Sequence, residues 1–348
     1  MTPGNSANRL AAELDEVLAR TGDVWDALRG ARIFITGGTG FFGCWLLETL
    51  LWANDRGALG AAAVVLTRNP EAFHAKAPHL ARHPAVTLHR GDVRSFAFPD
   101  GRFSHVVHAG MDASTGLDAR EPRLMWDMMV NGTARVLEFA HTAGAARFLL
   151  TSSGSVYGRQ LPVDFVTEDY PAAPDPSSAP VMHGEAKRAS EMLCAINADE
   201  ALQPTVARCF AFVGPYLPLD VHFAIGNFIR DALAGGPIRV SGDGTAIRSY
   251  LYAADLASWL WTILVRGRAM RPYNVGSAEA VSIADLAALV RDTVAPGARV
   301  DIARQPVPGA AVSRYVPSVE RVAADLGLVP TVRLREAISR TARFVRHL

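Results

Sequence analysis

Apolar positions recur at helical spacing through residues 6 to 29, where Leu10, Leu14, Leu18, Trp25 and Leu28 share one side and Gly30 follows. This predicts one amphipathic helix or two. From Arg32 the rhythm changes to short β-rich runs alternating with helical stretches. Arg32 to Thr36 (RIFIT) reads as a short buried strand, and Ala62 to Thr67, Val86 to His89, His105 to Ala109 and Arg147 to Thr151 continue the series of strands. Phe42 to Ala53 and Arg123 to Thr142 read as helices between them. Such alternation predicts an α/β chain built on a parallel sheet with helices on both faces. After about residue 210, Pro- and Gly-rich segments (VGPYLPLD, GGPIRVSGDGT, RQPVPGAAV) separate shorter elements, as loops that build a site do. Thr331 to Leu348 reads as a basic terminal helix.

Composition bounds the partners. The chain has 348 residues, enough for one large domain or two cooperating ones. Its 35 basic and 34 acidic residues leave a net charge of +1, so no one-signed field exists to hold nucleic acid or an anionic membrane. Only two of the basic residues are lysines, Lys76 and Lys187; the other 33 are arginines. A lysine that persists against such a bias marks a site where the two cations are not interchangeable. Three cysteines (Cys44, Cys194, Cys209), an odd count without metal-ligand spacing, fit a reducing cytoplasm and predict no metal site. The start of the chain lacks the pattern of a secretory signal. The most apolar stretches, Cys44 to Ala53 and Leu256 to Val265, are too short to span a bilayer. A soluble cytoplasmic protein is the expectation.

The first strand runs directly into Gly37-Gly38-Thr39-Gly40-Phe41-Phe42-Gly43, and a helix follows. Glycines at 37, 40 and 43 permit a tight turn, close backbone approach to a pyrophosphate, and close helix–strand packing. The helix start supplies N–H groups and a positive dipole end to the phosphates. In the first strand–helix unit of an alternating chain this predicts a bound dinucleotide. The second strand ends in Arg68 and Asn69, with no acid to bond a ribose 2′-hydroxyl, so Arg68 favours NADP over NAD by pairing with a 2′-phosphate. Asp92, followed by Val93 after the third strand, is placed to meet the adenine amino group.

Together these motifs resemble the extended short-chain dehydrogenase/reductase family, the NAD-dependent epimerases and dehydratases of nucleotide sugars. The resemblance runs from about residue 31 to the C-terminus, through TGGTGFFG at 36–43, VVHAG at 106–110, NGT with VLEFA at 131–140, TSSGSVYG at 151–158, HGEAKRASE at 183–191, VGP at 213–215 and GDG…RSYLYAADLA at 242–257. It implies a Rossmann-type doubly wound sheet with a smaller α/β C-terminal substrate domain. The expected division is a helical extension at 1–30, a dinucleotide-binding domain at 31–210 to which 250–292 returns, and a substrate-binding domain from 211–249 and 293–348. The resemblance places Ala109 against the cofactor and Ser153 on the reacting sugar oxygen. It gives Lys187 the nicotinamide ribose and the tuning of a tyrosine base four residues earlier.

That base position holds His183, and no tyrosine in the chain has a lysine four residues later. Bringing a tyrosine to neutral pH takes roughly 4 kcal/mol, most of which a nearby cation supplies. Histidine starts near neutrality, and the same cation pushes it towards a neutral imidazole. Three readings stay open: a retooled enzyme using His183 as acid/base or binding group, an enzyme whose base has been replaced, and a silent binding protein. Ser153 is followed by Gly154 and Ser155, where the family's 4,6-dehydratases carry an Asp-Glu pair, so that elimination is not expected. Met129 and Ala211 stand where the family usually has asparagines.

On the substrate side the resemblance assigns Arg248, Arg314 and Asn227 to a nucleotide diphosphate. His108 and His222 lie near the expected site, the former equally well read as a packed histidine. Arg208, Asp255, Trp259 and Trp261 read as structural. The expected reaction is transient oxidation at a sugar carbon, C4 foremost, with the hydride returned from the same cofactor. The alternative within enzymes is an NADPH-dependent keto-sugar reductase. A homodimer through helices 122–142 and 184–200 is implied by the family.

Overall fold

The computed structural model of the chain describes residues 8–110, 121–160, 163–221 and 223–347. Its centre is a seven-stranded parallel sheet. Strands β1 (Arg32–Thr36), β2 (Ala62–Thr67), β3 (Val86–Arg90), β4 (His105–His108), β5 (Arg147–Ser153) and β6 (Gln203–Cys209) are joined later in the chain by β11 (Pro272–Val275). Their spatial order is β11-β6-β5-β4-β1-β2-β3, every pair parallel.

Side chains alternate across a strand, so each central strand feeds two cores. Ile33, Ile35, Val65, Val107 and Leu149 face the core that holds the helices Phe41–Gly57 and Ala253–Arg266. Phe34, Val64, Leu66, Val106, Phe148 and Leu150 face the opposite core, closed by the helix Pro122–Thr142 and by Cys194 of the helix Met182–Ile196. This two-sided covering makes the strands apolar throughout rather than alternating. The architecture is the α/β parallel sheet expected of the strand rhythm and the Rossmann-type fold that the resemblance implies.

The N-terminal helices Ala11–Arg20 and Gly22–Ala27 join the first core through Leu14, Val17 and Trp25, the last edge-on to Trp261 with ring centres 5.9 Å apart. Trp259 and Trp261 are fully enclosed, and Trp261 donates its indole N–H to Thr49. Asp255 fixes the approach to the terminal helix Leu334–Arg346 by accepting from the Thr331 and Val332 amides. That helix begins three residues later than the sequence pattern suggests, because residues 331 and 332 bond to Asp255 and Arg333 is its N-cap.

Short strands accompany the sheet. β7 (Phe212–Val213) pairs with β10 (Leu251–Tyr252), and β8 (Ile238–Val240) with β13 (Val300–Ile302). β9 (Ile247–Arg248) lies between β12 (Val281–Ser282) and β14 (Arg314–Tyr315). The main sheet winds outward from β1 to β3 and then returns to β4 on the other side of β1. A sheet that reverses in this way opens a crevice beyond the carboxyl ends of β1 and β4. No described helix is long and apolar enough to cross a membrane.

Candidate functional site

A cavity of about 1070 Å³ extends from the carboxyl ends of the sheet to the short strands of the C-terminal half. Its floor is the loop after β1. Gly37 has φ +70°, and a Cβ there would stand 2.3 Å from the Ala109 carbonyl oxygen. A Cβ at Gly43 would stand 2.3 Å from the Gly37 carbonyl oxygen. Both positions therefore exclude a side chain for reasons of contact, and the backbone stays bare towards the cavity. Gly40 is the N-cap of the helix Phe41–Gly57, whose first-turn N–H groups have no intrahelical partner. Phe41 and Phe42 line the wall beside it. A bare glycine turn under a 17-residue helix start fits a pyrophosphate.

At one end of this floor lie Arg68, Asn69, Asp92 and Val93. Asn69 caps the helix Pro70–Lys76 by accepting from Ala72 N at 3.0 Å. Arg68 is exposed on the rim, close enough to Asp92 for its charge to favour the carboxylate. Asp92 is clamped by Arg94, whose Nε and Nη2 donate at 2.8 and 3.0 Å. Those bonds hold the Asp92 carboxyl below its ordinary range, so it stays an acceptor.

The other end gathers Ser153, His183 and Lys187. Ser153 is the last residue of β5, in extended conformation, and caps the following 3-10 turn by accepting from Ser155 N. His183 and Lys187 are one turn apart on the helix Met182–Ile196 and so share a face. Lys187 is only 3 % exposed, and its ammonium donates to the Thr151 carbonyl oxygen at 2.6 Å. Burial pushes it down to about 8. The helix comes close because residue 184 is glycine: a Cβ there would lie 2.6 Å from the Ser155 carbonyl oxygen. That approach sets His183 Nδ1 3.1 Å from Ser155 Oγ, which in turn lies 2.9 Å from Ser153 Oγ. Tyr315 Oη stands 3.5 Å from Ser153 Oγ, and burial pushes its phenol up to about 12.

His108 is packed rather than presented. Its Nδ1 is 2.7 Å from Thr36 Oγ1 and its Nε2 is 3.1 Å from Thr133 Oγ1. Burial, reinforced by Lys187, pushes it down to about 3, so the ring is neutral. Arg208 is structural too: it holds Glu191 at 2.7 Å and the Tyr157 hydroxyl at 3.0 Å beneath β5 and β6.

Beyond Ser153 the cavity is walled by Ala211, Asn227, Arg239, Arg248, Tyr250 and Tyr315. Arg248 is anchored by its Nη1 on the Ile247 and Ser313 carbonyls at 2.8 and 3.1 Å. Asn227 sits on the helix Ala224–Leu233 and accepts from Arg230 at 3.0 Å. Arg314 does not line the cavity. Its Nε donates to the Asp164 carbonyl oxygen at 2.7 Å, while the next residue, Tyr315, faces the cavity. His222 lies outside the described residues. Among the described lining residues, Arg68, Lys76, Lys187, Arg239 and Arg248 outnumber the carboxylates Asp92 and Asp243, a balance suited to a polyanion.

Sequence reasoning missed four of these side chains: Lys76, Ser155, Arg239 and Tyr315. Lys76 reaches the glycine loop and donates to the Thr39 carbonyl oxygen at 2.8 Å. The rarity of lysine was the available signal for it; Arg239 and Tyr315 had none, being brought in by pairings between distant segments.

Comparisons with known proteins agree with this fold. UDP-glucuronic acid decarboxylase 6 of Arabidopsis thaliana is 29% identical over 308 residues, covering 88% of this chain and 86% of its own. An epimerase from Methanothermobacter thermautotrophicus superposes with a TM-score of 0.78 at 21% identity, over 95% of this chain and 96% of the other. The UDP-glucuronic acid 4-epimerase of Bacillus cereus, solved with UDP-glucuronic acid and NAD, gives 0.75 at 21% identity, over 91% and 99%. The family model described as NAD dependent epimerase/dehydratase family matches residues 33–276. The chain is an extended short-chain dehydrogenase/reductase and belongs to the NAD-dependent epimerase/dehydratase family.

Proposed function

We propose that this chain is an enzyme that binds NAD(P) and a nucleotide-diphosphate sugar and transiently oxidises a sugar carbon, C4 foremost, as an epimerase does. The observation that carries this reading is the placing of Ser153, His183 and Lys187 at one end of a cavity whose floor is the bare glycine turn. When bound, the dinucleotide supplies a hydride acceptor and donor. The chain's own residues do the rest. Gly37, Gly40 and Gly43 with Phe41 and Phe42 hold the pyrophosphate, Asp92 and Val93 the adenine, and Ala109 and Lys187 the nicotinamide riboside. Ser153 orients the reacting hydroxyl, and His183 serves as acid/base in place of the usual tyrosine. Arg248 and Asn227 hold the diphosphate of the sugar. Arg314, engaged with Asp164, takes a supporting place behind Tyr315.

Arg68 favours NADP: an exposed guanidinium on the rim, where β2 ends without an acid of its own, suits a 2′-phosphate. The division into a cofactor unit (31–210 with 250–292) and a substrate unit (211–249 and 293–348) belongs to the same reading. A homodimer through the helices Pro122–Thr142 and Met182–Ile196 is supported by Trp126, Met192 and Ile196, which are 40, 61 and 72 % exposed. Three buried, unpaired cysteines support a reducing, cytoplasmic setting.

A second reading is favoured by the relatives, which are decarboxylases of UDP-glucuronic acid. A uronic acid oxidised at C4 is a β-keto acid and loses carbon dioxide readily, so the same first step serves both outcomes. Supplying UDP-glucose and UDP-glucuronic acid separately tests them. Epimer without gas supports the first reading, carbon dioxide and a pentose product the second, and neither binding nor conversion contradicts both.

A further inference from the structure

Ser155 is the residue between the proposed acid/base and the reacting serine. His183 Nδ1 lies 3.1 Å from Ser155 Oγ, and Ser155 Oγ donates to Ser153 Oγ at 2.9 Å. Imidazole is a shorter side chain than phenol, so a histidine at this position ends nearer the helix than a tyrosine does. The gap is filled by a hydroxyl, and the bare Cα of Gly184 lets the helix close on the Ser155 backbone. Tyr315 is the other hydroxyl near Ser153, at 3.5 Å, but it holds its own proton tightly and donates to the Cys209 carbonyl oxygen.

We propose that Ser155 is a positioning residue that relays the proton between Ser153 and His183. The proposal rests on the reading of His183 as acid/base. In the oxidising direction the substrate carbinol gives its hydride to an oxidised nicotinamide and its hydroxyl proton to Ser153 Oγ. The hydrogen bond as it stands, Ser155 Oγ donating to Ser153 Oγ, is the one the reducing direction uses; in the oxidising direction both hydroxyls turn about their Cβ–Oγ bonds, Ser153 passes its own proton to Ser155 Oγ, and Ser155 passes its own to the lone pair of His183 Nδ1. The carbinol C–H bond and three O–H bonds break; a carbonyl π bond, two serine O–H bonds, one N–H bond and the nicotinamide C–H bond form. Both serines end neutral and the imidazole ends as imidazolium. The reducing direction reverses every transfer. With Ser155 donating to Ser153, the Ser155 oxygen accepts from His183 Nδ1–H; the oxidising direction takes the other tautomer, with the proton on Nε2 and the Nδ1 lone pair towards Ser155.

The test compares full-length Ser155→Ala, Ser155→Thr and His183→Gln by two measurements. Nitrogen NMR of labelled histidine follows the tautomer and titration of His183 without cofactor or substrate. Single-turnover reduction of added NADP by UDP-glucose and by UDP-glucuronic acid reads the hydride step. Ser155→Ala is expected to change the His183 tautomer balance and to slow the hydride step about a hundredfold. Ser155→Thr is expected to restore both. A Ser155→Ala protein whose His183 signals and hydride rate match the parent, while His183→Gln is dead, overturns the relay and leaves the role of His183 standing. A His183→Gln protein with parental rate overturns both. If neither sugar reduces cofactor in the parent, unchanged His183 signals in Ser155→Ala overturn the relay by themselves.

Discussion

The Lys187 ammonium donates at 2.6 Å to the Thr151 carbonyl oxygen, two residues before Ser153 on the same strand. This bond pins the helix of His183 to the strand of Ser153, and it keeps a charge where water is excluded. The cost is visible in the ammonium's depressed pKa, about 8 against an ordinary 10.5. A lysine lowered in the folded state binds its proton less well there than in the unfolded chain. Between about 8 and 10.5 the unfolded state therefore holds more protons, and stability rises with pH through that window. Lys187→Met is expected to raise stability at neutral pH, by up to roughly 3 kcal/mol, and to flatten the rise. Denaturant melts across the window measure both, and the same variant is expected to lose at least a hundredfold in hydride transfer.

Gly43→Ala tests the glycine turn. The new Cβ meets the Gly37 carbonyl oxygen at 2.3 Å and the Gly38 Cα at 2.2 Å, backbone atoms that cannot rotate away. The expected loss is about 1–3 kcal/mol of stability together with most dinucleotide affinity. Denaturant titration and calorimetric cofactor binding read the two effects.

Arg68→Ser tests cofactor choice. Removing a guanidinium from the rim is expected to weaken NADP about tenfold or more and to leave NAD within twofold. Equal losses for both dinucleotides would place Arg68 on a shared part of the cofactor instead of the 2′-phosphate.

His183→Tyr tests the departure from the family. Tyrosine ionises near 10 and histidine near 6.5, so the base limb of the pH–rate profile is expected to move to higher pH. With Lys187 one turn away, turnover on a nucleotide sugar is expected to persist or increase. A variant silent at every pH would argue against the substrate class.

Much of this was legible in the chain. β1, β2, β4 and β5 lie where the short apolar runs place them, because burial on both faces leaves a clear signal; β3, at the sheet edge with only Val86 buried, is marked by its β-rich residues instead. The glycine spacing located the cavity floor, and i, i+4 spacing put His183 and Lys187 on one helix face. Arg314 shows where such reasoning stops. In the two-residue strand β14, neighbours point to opposite sides, so Arg314 meets Asp164 while Tyr315 takes the cavity. Nothing local to the motif distinguishes the two. Ser155 was hidden differently: its position was read only as the absence of an acid, whereas its hydroxyl bridges Ser153 and His183 through contacts 28 residues apart.

Transient oxidation of a nucleotide sugar is most directly tested by stopped-flow absorbance of reduced nicotinamide, with the protein loaded with NADP or NAD and mixed with UDP-glucose or UDP-glucuronic acid. A signal that rises and then decays as the hydride returns, absent in His183→Gln, is the predicted result. No reduced nicotinamide with any pairing, although dinucleotide and sugar both bind, would contradict it and leave a binding protein in its place.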